Sequence, residues 1–255
     1  CVVQSPSLND ASNNSSPQPT TISHGEALGR ISHTVTLDKP VPGKVDKIIV
    51  YKTVPPHFTR QDIISLGKKF NVSSPYQIKE GAEGFSIAAE DRSAYVVLTV
   101  NRWIEYSNGN RAHSPNPVDV PENLPSDAQA VEIATKFLND QDLLPESAEF
   151  RKTSHGRILQ TAENGTDIVT WEDIQVWYGR KLDGKTVEGT QLMLALGADG
   201  TPIEFFTNWR DYQPYEELSI NSPDQSLEEL KKKGVPVGMY EPDSLVSVDD
   251  MFLAY

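Results

Sequence analysis

The chain has 255 residues, with 23 Lys and Arg against 36 Asp and Glu, for a net charge of −13. That length suits one large domain or two small ones, and 37% hydrophobic with 8% aromatic residues is too apolar for a disordered chain. The acidic balance argues against nucleic acid and against docking on anionic membranes by charge, no apolar run reaches the roughly 18 residues of a bilayer span, and a single Cys excludes an internal disulfide or a cysteine-based zinc site.

That Cys is residue 1. Residues 4–21 follow as QSPSLNDASNNSSPQPTT, in which 15 of 18 are Ser, Thr, Asn, Gln or Pro. Such a segment buries too little apolar surface to offset its conformational entropy. Residues 1–25 therefore read as a flexible tether, with a coil span of roughly 25 Å. A leading Cys before a polar tether resembles mature bacterial lipoproteins, whose first thiol carries a diacylglyceryl group. The resemblance implies a lipid anchor at Cys1, an extracytoplasmic location, and no other contact with the membrane.

Val45–Thr53 reads as a strand, with Ile48 and Val50 on one face and Ile49 and Tyr51 on the other. Thr59-Arg60-Gln61-Asp62 opens a helix whose apolar positions are Ile63, Leu66 and Phe70. Strands follow at Phe85–Ala89, Ala94–Val100 and Trp103–Tyr106, and Asn108-Gly109 reads as a turn. Trp103 and Tyr106 lie three apart, so a strand sends them to opposite faces and at least one inward. Arg111–Pro125 holds four prolines and marks the expected domain boundary, between units at 26–115 and 120–255.

Ser126 with Gln129 forms a capping box ahead of Val131, Ala134 and Leu138. Strands follow at Glu149–Gln160, Ile168–Tyr178, Gln191–Leu196 and Ile203–Trp209, separated by Asn164-Gly165, Asp183-Gly184 and Asp199-Gly200, pairs suited to the positive φ of tight turns. A third helix starts at Ser222-Pro223 and ends near Gly234, and Ser244–Tyr255 reads as a strand that either pairs last or continues past residue 255. The expected architecture is α+β: antiparallel sheets, each covered by a short amphipathic helix, with the order of helix then strands appearing twice in full.

The helix Ser126–Leu138, the strand Asp173-Ile174-Gln175-Val176-Trp177-Tyr178, and the closing pattern Leu192–Leu196, Asp199-Gly200, Ile203–Phe206 resemble PepSY modules. The phrase Tyr178-x-Arg180-x-x-Asp183-Gly184-x-x-Val187 and the late Leu253-Ala254-Tyr255 resemble the YycH/YycI type of extracytoplasmic regulator. The resemblance implies PepSY-like units and a non-catalytic role in holding or regulating a partner. It brings no catalytic residues with it, and the inserted Asn139–Thr170 region departs from the pattern.

A search for chemistry agrees with that expectation. Gly-x-Ser-x-Gly, the phosphate-loop motif and the dinucleotide fingerprint are all absent from the sequence. No two of His24, His33, His57, His113 and His155 stand at metal-ligand spacing, and Asp140-Gln141-Asp142 is the nearest fragment to a calcium loop. Adjacent Glu172 and Asp173 point to opposite faces of a strand and cannot act as one acid–base pair. No metal, cofactor or enzymatic activity is expected.

The aromatic residues carry the binding hypothesis. Trp171, Asp173, Gln175 and Trp177 share one face of their strand, while Ile174, Val176 and Tyr178 share the other and read as core. Flat rings beside polar groups suit a peptide or a sugar. Trp209, within Asn208–Tyr215 read as a loop, is the fifth candidate. The sequence thus points to a non-enzymatic surface lipoprotein that binds or regulates a protein partner, with glycan or peptide binding through the aromatic face as the alternative.

Overall fold

The computed structural model describes residues 34–108, 123–161, 165, 167–233, 245–248 and 250–255. The tether at 1–25 with Cys1, the turn residue Gly109, and 111–122 of the expected boundary lie outside the described residues. In chain order the strands and helices are β1 (Thr34–Leu37), β2 (Lys47–Val54), α1 (Arg60–Lys69), β3 (Tyr76–Gly81), β4 (Gly84–Ala89), β5 (Ala94–Thr99) and β6 (Ile104–Asn108). Then come α2 (Asp127–Asp140), β7 (Ala148–Thr161), β8 (Asp167–Leu182), β9 (Lys185–Leu196), β10 (Pro202–Thr207), β11 (Asp211–Ser219), α3 (Pro223–Lys233) and β12 (Leu245–Val248). The fold is α+β, as the patterning predicts.

Among the described residues two compact units form, one within 51–214 with 254–255, the other within 34–50 with 215–253. The larger holds an eight-stranded antiparallel sheet in the order β3-β4-β5-β6-β10-β9-β8-β7. Each half is a meander preceded by a helix, and the halves join where β6 pairs with β10, Tyr106 opposite Phe205. The sheet thus runs across the division expected at Arg111–Pro125. A proline-rich connector interrupts the local pattern, but strand pairing across the connector makes one sheet from both meanders.

Both helices lie on one face of this sheet. α1 packs on β4 and β5, and α2 on β8 and β9. Each starts with reciprocal capping: the Thr59 backbone N–H donates to the Asp62 carboxylate at 2.6 Å, and the Ser126 N–H to the Gln129 carboxamide at 3.0 Å. Small residues set how closely the helices approach. A Cβ on Gly67 would meet Ile87 of β4 at 3.0 Å, and Ala130 and Ala134 of α2 are fully buried. Under the helices runs one continuous core, including Ile63, Val96, Leu98, Leu138, Ile174, Val176, Leu194 and Phe205. Phe70 links its halves, stacked on Tyr106 at 4.4 Å and tilted against Phe205 at 5.2 Å.

The turns behave as their sequences require. Asp183 and Gly184, joining β8 to β9, have φ of 49° and 71°, both positive as a tight hairpin demands. The Asp183 carboxylate accepts the Tyr51 hydroxyl at 2.5 Å, and this hydrogen bond pushes the Tyr51 pKa up to about 12. Beside it Ala254–Tyr255 adds a short parallel edge to β9, with the Tyr255 N–H donating to the Thr186 carbonyl and the Glu188 N–H to the Tyr255 carbonyl.

The smaller unit contains the parallel pair β1 and β12, with Thr34 opposite Leu245, and α3. The expected strand at Ser244–Tyr255 thus divides into β12 and the edge at 254–255. α3 is capped as predicted, with the Ser222 N–H donating to the Gln225 carboxamide at 2.9 Å. β2 pairs with β11 in a two-stranded sheet, so part of Asn208–Tyr215, expected as a loop, is strand.

Candidate functional site

The face of the large sheet opposite the helices is where the predicted binding residues of β8 emerge. Ile174, Val176 and Tyr178 are buried toward the helices. The pleat therefore sends Asp173, Gln175 and Trp177 to the other side, as the alternation predicts. Strand register extends their row across the sheet. Trp177 lies opposite Met193 of β9, Met193 opposite Phe206 of β10, and Phe206 opposite Glu105 of β6. One step along, Gln175, Ala195, Glu204 and Ser107 form the parallel row.

Trp103, just before β6, completes the aromatic strip. It is 44% exposed, and its ring meets Phe206 edge-on at 4.5 Å. Its partner three residues on, Tyr106, is buried in the core, as the three-residue spacing predicts. Met193, Ala195 and Ile203 form a second, smaller apolar cluster against which Trp177 and Phe206 pack. Ile203 reaches this side because the register shifts between Pro202 and Glu204.

Polar groups are fixed among these rings. Glu105 accepts the Tyr95 hydroxyl at 2.9 Å and the Trp103 indole N–H at 3.3 Å. Burial raises the Tyr95 pKa, and the hydrogen bond to Glu105 raises it further. Across the sheet the Trp177 indole donates to Ser154 Oγ at 2.8 Å, Ser154 donates to the Gln175 carboxamide at 3.2 Å, and Lys152 Nζ lies 5.8 Å from the Trp177 ring centre. Asp173 is 7% exposed and accepts the Gly156 N–H at 3.0 Å. A Cβ at position 156 would overlap that carboxylate, so only glycine admits it here.

One predicted member, Trp209, does not join this face. Trp209 is 9% exposed and belongs to the main core. Continuing the alternation of Phe205 and Thr207, both buried, carries residue 209 to the side away from Phe206. At Trp171 the β7–β8 pairing shifts, with Gly156 opposite Asp173 but Arg157 opposite Trp171, so Glu172 is skipped. The Trp171 side chain lies outside the described residues, as does Cys1. To Asp173, Gln175 and Trp177 the structure adds Trp103, Phe206, Met193, Glu105 and Tyr95. Phe206 was readable from its alternation with Phe205, but its meeting with Trp103 depends on β6–β10 pairing that no local pattern encodes.

Elsewhere, a cleft of about 300 Å³ opens between the two helices, lined by Phe70, Asn71, Ser93, Tyr106, Asn108 and Thr201 among others. His155 pairs with Asp127 at 3.4 Å at the start of α2. Among the described residues no group of three or more His, Cys, Asp or Glu is placed to hold a metal, and no helix is long and apolar enough to cross a membrane.

No known protein family matches the chain, and no curated protein matches it. Among solved structures it is similar to the C-terminal domain of YpeB from Bacillus megaterium, at 15% identity and a TM-score of 0.35. The match covers 58% of this chain and 62% of that one.

Proposed function

We propose that the protein is a non-enzymatic, extracytoplasmic binding module, held at a membrane by a lipid on Cys1, that engages a partner protein through the open face of its eight-stranded sheet. The observation that carries the reading is the strip Trp103–Phe206–Met193–Trp177, flat apolar area with Glu105 fixed at its edge. Helices cover the opposite face, while on this one the Trp103 ring is 44% exposed. A carboxylate beside an exposed indole suits a partner segment that presents Lys or Arg together with apolar side chains, because a cation gains from both the charge and the ring face. The helix-then-meander order of each half is the PepSY-like feature in keeping with a holding or regulating role.

A photo-crosslinking residue at position 103, compared with one at the exposed Glu132 of α2, tests the reading in the native host. A discrete protein adduct from 103 and none from 132 is expected. Equal patterns from the two positions, or none from 103, would overturn it. The anchor is tested separately by intact mass of the native protein, where an unacylated Cys1 removes that element alone.

A second reading, glycan binding, is favoured by one feature: Ser154, Gln175 and Asp173 surround Trp177 with neutral and acidic polar groups. It predicts saturable, sugar-dependent quenching of tryptophan fluorescence that Trp177→Ala abolishes while the fold is retained. Unchanged quenching in that variant removes it.

A further inference from the structure

Away from the open face, two arginines from distant parts of the sequence flank one short segment, Trp209–Tyr212, at the end of β10. Arg180 of β8 holds its guanidinium 5.4 Å from the centre of the Trp209 ring and 4.7 Å from that of Tyr212, and it donates from Nη1 to the Arg210 carbonyl. Tyr212 is itself fixed by a hydrogen bond between its hydroxyl and Thr190 at 3.0 Å. From the other side comes Arg102, in the β5–β6 turn with φ of 58°, whose Nη2 pairs with Asp211 at 2.5 Å.

Both arginines leave a donor unsatisfied. Arg102 Nε and Arg180 Nε are buried without a hydrogen-bond partner, and no other buried side-chain nitrogen or oxygen among the described residues is in that position. Buried N–H groups almost always find an acceptor, and those without one commonly mark a site for water or an ion. The charges are unbalanced too. Arg102 and Arg180 both act on one carboxylate, Asp211, in a chain whose overall charge is −13. Burial lowers the Arg180 pKa, Tyr212 and Asp211 pull it back up, and the charge of Arg102 lowers it, so the two guanidiniums lie close enough to repel each other. Asp211 is half exposed; it pairs with Arg102 and also attracts Arg180.

We propose that Arg102 and Arg180 form a binding site for a phosphate group, free or carried as a monoester. A tetrahedral dianion presents oxygens in several directions at once, so it can accept from two guanidinium forks that arrive from different strands. It also neutralises the positive charge that Asp211 leaves over. The rings of Trp209 and Tyr212 hold the Arg180 fork in position before the ligand arrives, which reduces the ordering cost of binding.

The test is calorimetric titration of the full chain with sodium phosphate and, separately, with glycerol 1-phosphate, each at ionic strength held constant with sodium chloride. Saturable binding is expected, weakened at least tenfold by Arg102→Gln. Arg180→Lys, which keeps the charge but loses the fork, should weaken it similarly. Thermal melts establish that each variant is folded. Binding of both probes assigns a monoester-compatible site, and binding of phosphate alone assigns the free ion. No saturable heat with either probe overturns the proposal. So does binding that a folded Arg102→Gln or Arg180→Lys retains undiminished, because the anion then lies elsewhere.

Discussion

Phe205 and Phe206 are consecutive residues of β10, and the pleat sends them to opposite faces of the same sheet. Phe205 is buried beneath the helices against Phe70, in a core that runs without a break from Ile63 under α1 to Leu138 under α2. Phe206 faces the other way, into a small cluster with Met193, Ala195 and Ile203, where its ring meets an exposed indole. The helical face is mainly apolar; the open face mixes rings with Glu105, Ser154, Gln175 and Asp173. A face that only had to be covered would not need fixed carboxylates among its aromatics. The difference separates residues that hold the fold together from residues available for recognition.

The comparison breaks most visibly at Phe205. Phe205→Ala should destabilise the larger unit by about 3–5 kcal/mol, the cost of emptying a packed aromatic site. Because the core is shared, denaturant unfolding followed at a probe in each half should give one coincident transition shifted as a whole. Two separated transitions would mean that the halves fold independently despite β6–β10 pairing. Phe206→Ala should cost about 1–2 kcal/mol, since that side chain is only partly withdrawn from water. The same variant should nevertheless weaken partner capture through position 103. Equal losses of stability for Phe205→Ala and Phe206→Ala would erase the distinction between the faces.

The helical face is sharpened further by its caps. Ser126→Ala removes the hydroxyl that joins the backbone N–H in meeting the Gln129 carboxamide, and it should cost about 1 kcal/mol. A comparable loss is expected for Thr59→Ala, where Asp62 plays the same part. Paired melts of the two variants would show whether the shorter α1 depends on its cap more than α2 does.

These contrasts were partly legible before any fold was in view. Alternation along β8 separates Ile174, Val176 and Tyr178 from Gln175 and Trp177, and the burial of each follows it. The helix starts were legible because capping chemistry is local, and so was the Asp183-Gly184 turn. β3 was not, because Tyr76–Gly81 is an almost wholly exposed edge strand without an apolar face to show periodicity. β11, with Pro214 and a run of exposed acidic positions, hides for the same reason. Trp209 stands where the expected strand Ile203–Trp209 meets the expected loop Asn208–Tyr215, and there its backbone N–H is held by Thr207 Oγ1 and its ring enters the core. The β6–β10 joint and the meeting of Arg102 with Arg180 about one segment are long-range pairings, and no window of sequence contains both partners.

The smallest effect concerns Asp173, the one buried charged residue among the described residues. Burial raises its pKa, and the opposing pull of the Gly156 N–H, Gln175 and the positive side of His155 does not cancel that rise. A carboxyl that holds its proton more tightly folded than unfolded makes the native state the one that binds more protons, in the window from the ordinary Asp value up to the raised one. Stability therefore falls as pH climbs through that window and stays at the lower level above it. Asp173→Asn has no proton to lose, and its carboxamide oxygen can still accept the Gly156 N–H. The variant should lack that downward step and, at neutral pH, match or exceed the parent by less than the ~1 kcal/mol of one hydrogen bond. Denaturant midpoints measured across the acidic range decide it. A variant clearly weaker than the parent at neutral pH would show that the fold uses the negative charge, and Asp173 would then belong with the groups that stabilise the sheet, leaving Glu105 as the carboxylate that distinguishes the open face.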